Sequence, residues 1–156
     1  MNERSSNLEN ALRPGEVAVA LPPQTDAGVY FIGTIRTPWR SRHDCPKRGS
    51  PDGPLCSIVL DKRWRAALTN IAGYRRIQVL YWMHQARRDL VLQTPLGGET
   101  TGTFALRSPV RPNPIASSIV ELVAVGATRL EVRGLDCIDG TPLLDLKPDY
   151  PAGGKA

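Results

Sequence analysis

Thr103-Phe104-Ala105-Leu106-Arg107-Ser108-Pro109-Val110-Arg111-Pro112-Asn113-Pro114-Ile115-Ala116-Ser117-Ser118-Ile119-Val120 sets two apolar runs around a segment holding three prolines, two arginines and an asparagine. Each proline fixes φ near −65° and offers no backbone donor, so no regular ladder crosses residues 109–114. The reading is a rigid elbow between two strands that aims Arg107 and Arg111 outward. Two cations on a stiff frame suit an anionic ligand. A Pro-rich surface turn with solvated arginines is the plain alternative.

The runs beyond the elbow are β-like. Ser117–Val125 is long and apolar and ends at Gly126, and Thr128–Arg133 alternates with period two, so one of its faces is wet. Upstream, Gly28–Arg36, Cys56–Leu60 and Arg76–His84 are rich in β-branched and aromatic residues. Arg88–Gln93 is expected to pair with Arg76–His84 across Gln85-Ala86-Arg87, and residues 17–21 suit a short edge strand. One helix is expected over Lys62–Ile71, capped by Asp61 and stopped by Gly73, with Trp64, Ala67, Leu68 and Ile71 on one face. Trp64 and Trp82 read as core. Seven or so short strands and one short helix predict an all-β (β-dominated) fold, a closed barrel. Residues 1–26 read as a flexible lead-in, 27–151 as the barrel domain and 152–156 as a tail.

With 156 residues, 41% of them hydrophobic and 22% charged, the chain has the make-up of one ordinary globular domain. No apolar run approaches the ~20 residues that span a bilayer, so no membrane partner is expected. The first residues lack the layout of a signal peptide, and a cytoplasmic setting is expected. Cys45, Cys56 and Cys137 are odd in number without C-x-x-C spacing, and His43 and His84 lie far apart, so thiols are expected and a metal is not. The net charge of +5 is uneven. Residues 31–90 hold twelve Lys/Arg against four acids, a surplus of eight. Such a concentration suits a polyanion such as RNA, with a solvated basic face as the alternative. The Pro/Gly-punctuated loop over 38–54 adds cations and Trp39, which can stack on a base or simply pack.

Asp139-Gly140-Thr141-Pro142 is a tight turn led by a carboxylate, with Asp136, Asp145 and Lys147 close by in sequence. Charges gathered beside an apolar run are candidate functional groups.

Taken together, Arg107-Ser108-Pro109-x-Arg111-Pro112-Asn113-Pro114-Ile115 and the later Asp136-x-x-Asp139-Gly140-Thr141-Pro142-x-x-Asp145-x-Lys147-Pro148 resemble the TrmO, or TsaA-like, family over residues 29–150. The resemblance implies a single-sheeted closed β-barrel that forms a homodimer. It implies an S-adenosylmethionine-dependent methyltransferase that N-methylates threonylcarbamoyl-modified adenosine beside the anticodon of tRNA. Cofactor contacts carried over from it fall on Pro46, Lys47 and Arg48, on His84 and Gln85, on Arg107, on Ile119, and on Asp139, Gly140, Thr141 and Pro142. The tRNA is expected on a basic face within residues 36–88.

The side chains agree with those roles. Arg107 can fork a carboxylate, and glycine at 140 lets the backbone approach a ligand closely. His84 or Asp139 can take the proton that the target nitrogen loses. Arg111 and Asn113 suit fixing the elbow or touching RNA. The chain departs from the family where Pro46-Lys47-Arg48 replaces Pro-Arg-Gln, Arg75-Arg76 replaces Ser-His, Ala116 replaces glycine, and Asp149 interrupts Lys-Pro-Tyr; the C-terminal extension of longer members is also absent. A non-catalytic S-adenosylmethionine-binding or RNA-binding module, or a methyltransferase with another acceptor, is the alternative.

Overall fold

In the computed structural model, residues 11–150 are described. They form β1 (Val17–Ala18), β2 (Gly33–Arg36), β3 (Cys56–Leu60), β4 (Arg76–Trp82), β5 (Leu90–Gln93), β6 (Thr101–Gly102), β7 (Ile115–Val125), β8 (Arg129–Arg133) and β9 (Pro142–Pro148). Three 3-10 helices accompany them: η1 (Lys62–Leu68), η2 (Ile71–Gly73) and η3 (Thr103–Ala105). Six strands close a barrel in the order β2-β3-β8-β7-β4-β9, and β9 pairs back onto β2. The other three form a small sheet, β1-β5-β6. The chain divides into two units: Gly28–His84 with Ala116 onward holds the barrel, and residues up to Ala27 with Gln85–Ile115 hold the small sheet.

Alternation builds the barrel. Along β4, Ile77, Val79 and Tyr81 are buried while their neighbours are not, and along β8 Leu130 and Val132 alternate with Arg129, Glu131 and Arg133. Inward residues of every strand fill the interior, as a small closed barrel requires. Tyr81 points in, so Trp82 points out. Trp82 is therefore not core as expected: its ring lies 6.3 Å from that of Phe31 on the outer face. Trp64 and Trp39 do pack against the core.

Three expectations are corrected. The Arg88–Gln93 run does not pair with β4, because β4 already has β7 on one side and β9 on the other; a closed barrel leaves no edge for β5. The single helix expected over Lys62–Ile71 is two 3-10 pieces. Asp61 caps η1 by accepting from the Arg63 N–H at 3.0 Å, Thr69 closes it onto the Ala66 carbonyl, and Asn70 at φ 68° turns the chain before η2. The run before the elbow is η3 rather than a strand. Thr103 is buried there, its hydroxyl donating to the Leu90 carbonyl at 2.7 Å and accepting from Gln93 at 2.8 Å. No strand crosses residues 109–114, as the prolines require.

Candidate functional site

In the barrel unit, the Asp139–Pro142 turn is laced to the end of β2. Gly140 adopts φ +84°, a conformation that favours glycine. Its N–H donates to the Ile35 carbonyl at 2.9 Å, and the Ile35 N–H donates to the Thr141 carbonyl at 2.8 Å. Thr141 is buried, its hydroxyl donating to the Ile138 carbonyl at 2.7 Å. Pro142 opens β9 opposite Thr34. The Asp139 carboxylate accepts the Thr37 N–H at 3.2 Å and faces the Arg36 guanidinium at 3.5 Å. Nothing within 4 Å meets a Cβ built on Gly140, so the turn presents an open backbone face.

The long loop after β2 is fastened along the same segment. The Thr37 hydroxyl donates to the Cys137 carbonyl at 2.9 Å, the Asp139 N–H donates to the Trp39 carbonyl at 2.7 Å, and Arg133 donates to the Gly53 carbonyl at 2.6 Å. Gly49 sits so tightly that a Cβ there would lie 1.7 Å from the Gly134 carbonyl oxygen. A Cβ on Gly134, whose φ is +112°, would in turn lie 3.5 Å from the Ile119 carbonyl oxygen. The expected triplet Pro46-Lys47-Arg48 thus hangs just before a point where the loop touches the chain leading to Asp139, with Ile119 behind it. Pro46, Lys47 and Arg48 are exposed.

A polar network inside the barrel joins the same elements. The Tyr81 hydroxyl donates to Asp136 Oδ1 at 2.7 Å and lies 2.8 Å from the Ser118 hydroxyl. Burial pushes the Tyr81 phenol up, and the Asp136 charge adds to it, so the hydroxyl stays protonated. Asp136 stood out in the sequence; Tyr81 and Ser118 did not. Their signal was a tyrosine at an inward position of β4, where a phenol needs a partner. His84 follows β4, exposed, with its backbone N–H on the Trp82 carbonyl at 2.8 Å.

Gln85 and Arg107 belong to the other unit, where both are exposed. Arg111 there does not point outward as expected. Its guanidinium donates to the Leu106 carbonyl at 2.6 Å and the Ser108 carbonyl at 3.3 Å, and lies 5.9 Å from the Phe104 ring centroid. A proline-bearing turn leaves carbonyls unpaired, and Arg111 satisfies them. Arg88 does the same for the Pro112 carbonyl and reaches the Asn113 side chain at 3.2 Å. Arg87 pairs with Asp89 at 2.8 Å, which holds that carboxyl below its ordinary value. Of the twelve cations between residues 31 and 90, ten therefore lie in the barrel unit and Arg87 and Arg88 lie in the other.

The profile of the tRNA-methyltransferase O N-terminal domain matches residues 34–153. The "Probable S-adenosyl-L-methionine-binding protein VirR" of Rhizobium radiobacter is 54% identical over 88% of this chain and 79% of its own. An S-adenosyl-L-methionine-binding protein of Archaeoglobus fulgidus is 39% identical over 77% of this chain and 87% of its own. The tRNA (adenine(37)-N6)-methyltransferase of Escherichia coli is 33% identical over 77% of this chain and 56% of its own. The crystal structure of TrmO from Pseudomonas aeruginosa superposes with a TM-score of 0.70 at 28% identity, covering 85% of this chain and 60% of that one. This chain thus spans about three-fifths of that solved relative.

Proposed function

The chain belongs to the family of tRNA-methyltransferase O N-terminal domains, and on that premise we propose that it moves the methyl group of S-adenosylmethionine to the modified adenosine beside the anticodon of tRNA. The observation that supports this reading is the loop of residues 37–53 fastened along residues 133–141, with Gly49, next to Arg48, seated against Gly134.

The residues suit the cofactor. It carries a carboxylate, an amino group, a ribose diol and an adenine, and when bound it supplies a methyl group on an activated sulfonium. Lys47 and Arg48 have no ion-pair partner among the described residues, so they are available for the carboxylate. The open face of Gly140 admits a flat or polar group against the backbone. Gln85 and Arg107 are assigned to the cofactor on the family pattern. The protein's remaining task is to hold donor and acceptor in line and to accept the acceptor nitrogen's proton. His84 suits that proton because its imidazole has no partner among the described residues. Asp139 already receives two donors and suits orientation better.

A homodimer fits the exposed apolar residues Ile119, Val123 and Val125 of β7, 45%, 50% and 37% exposed. Of the barrel unit's cations, Arg40, Arg42, Lys62 and Arg65, which have no ion-pair partner among the described residues, are assigned to tRNA, and the cytoplasm is its setting. The second reading, a module that binds cofactor without turnover, is favoured by the binding-protein names of the relatives and by the altered triplet at Pro46–Arg48.

Calorimetric titration with S-adenosylmethionine, followed by mass analysis of tRNA nucleosides, decides between them. Binding plus one added methyl group on threonylcarbamoyl adenosine supports the enzyme. Binding with no methylated nucleoside supports the module, and no binding overturns both.

A further inference from the structure

Within the barrel unit, the chain entering β2 exposes three apolar residues in a row. Val29 is 57% exposed, Tyr30 80% and Phe31 50%. A run of this kind on a surface otherwise rich in arginine calls for a partner. Each aromatic leans on a tryptophan. Tyr30 lies 6.4 Å from Trp64 of η1 with the planes 47° apart, and Phe31 lies 6.3 Å from Trp82 of β4 at 49°. Trp64 packs against the core and so fixes the first pair to the barrel. Trp82 lies two residues before His84, so the aromatics run from the candidate proton acceptor toward η1.

Charge selects the occupant. On η1, Lys62, Arg63 and Arg65 are all exposed. Arg63 is held by Asp61 at 3.0 Å, whereas Lys62 and Arg65 have no partner among the described residues. Beyond η1, Arg75 and Arg76 are spent on Glu121 and Asp149. Exposed aromatic faces beside uncommitted cations fit bases that stack while their phosphates are neutralised.

We propose that Tyr30 and Phe31 form a stacking platform for unpaired nucleotides of RNA, with Lys62 and Arg65 holding the phosphates. This rests on the tRNA reading above and adds to it that the protein grips bases other than the one it modifies. The target base must leave its stack to react, and neighbouring bases that lose stacking on each other regain it on the aromatics.

The test is fluorescence anisotropy with a labelled single-stranded RNA heptanucleotide, the same sequence as a duplex, and total tRNA. Tyr30→Ala with Phe31→Ala should raise the heptanucleotide Kd by about 10- to 100-fold, while Tyr30→Phe stays near wild type. Lys62→Gln with Arg65→Gln should flatten the dependence of log Kd on log salt by about 0.7 per charge removed. S-adenosylmethionine binding should not change in any of these variants. If the double alanine variant loses its fold, Tyr30→Ala alone keeps the test open, since that side chain is mostly in solvent. Equal binding of the heptanucleotide by Tyr30→Ala and wild type overturns the platform and leaves the tRNA reading standing. Preference for the duplex overturns it as well. A shift from dimer to monomer on Tyr30→Ala assigns the run to a second copy instead. Absence of any RNA binding by the wild type overturns the platform and the tRNA reading together.

Discussion

Arg76 and Asp149 pair across β4 and β9: the guanidinium Nε donates to Asp149 Oδ2 at 2.8 Å, and the Asp149 N–H donates to the Arg76 carbonyl at 3.1 Å. Both residues depart from the family pattern, and each supplies the other's partner. The two departures therefore read as one exchange on the barrel wall rather than as two losses at the site. Asp149→Ala should cost about 0.5 kcal/mol, small because the arginine is largely solvated. The exchange Arg76→Asp with Asp149→Arg should recover part of it. Urea unfolding of the wild type, Asp149→Ala and the exchanged pair checks this, and cofactor binding should be the same in all three.

Tyr81→Phe removes the donor that Asp136 receives inside the barrel. Leaving that carboxylate oxygen without its partner should cost about 1–3 kcal/mol in denaturant unfolding. If the network also holds the segment that leads to Asp139, turnover falls while the cofactor Kd changes little. Single-turnover rates measured beside calorimetry separate the two effects.

Gly49→Ala pushes a Cβ into the Gly134 carbonyl, and both partners are backbone. The loop must then lift, so cofactor binding should weaken together with the melting temperature. Gly73→Ala is the control, because a Cβ there meets nothing within 4 Å. Equal behaviour of the two variants would mean that the loop seat is not part of the site.

His84→Ala should abolish methyl transfer and leave the cofactor Kd within about twofold, since removing a proton acceptor spares ground-state binding. Asp139→Asn keeps an acceptor oxygen for Thr37 but loses the charge that faces Arg36. It should lower both turnover and melting temperature. A fully active His84→Ala variant would return the proton to another group.

Alkaline pH should loosen the barrel. Burial pushes the Cys56 thiol up to about 11 and the Cys137 thiol up to about 12, from an ordinary value of 9.0. The folded state holds these protons more tightly than the unfolded chain, so their contribution is full below pH 9 and is lost as pH rises through 11 to 12. Melting curves from pH 8 upward should show this, and Cys56→Ala should soften the decline. At pH 8 a chromogenic disulfide reagent should reach Cys45 before either buried thiol.

Much of the barrel was legible because alternation is a local signal. β3 runs over Cys56–Leu60 as read, and β8 keeps the wet and dry faces that its pattern announced. What escaped was decided at long range. Whether the Leu90–Gln93 strand pairs with β4 depends on which edges β7 and β9 occupy, and no window around residue 85 contains that information. The direction of Arg111 was hidden for a related reason. A proline turn frees carbonyls, but only the folded elbow shows that the Leu106 and Ser108 oxygens converge on that side chain. Motif spacing pointed to the Asp139 turn, whereas its seating against Trp39 and Ile35 came from strand order.

The small sheet carries a liability that the closed barrel does not. β1 contributes two residues, yet through Val17 opposite Leu92 and Ala18 opposite Leu90 it occupies one side of β5. A chain shortened to begin after Leu21 would bare that side, along a strand whose Val91 and Leu92 are already 39% and 37% exposed. Open backbone donors beside apolar side chains invite strand addition from another molecule. Trimming the N-terminus to tidy a preparation would therefore make the protein prone to self-association, without touching a residue assigned to cofactor or RNA.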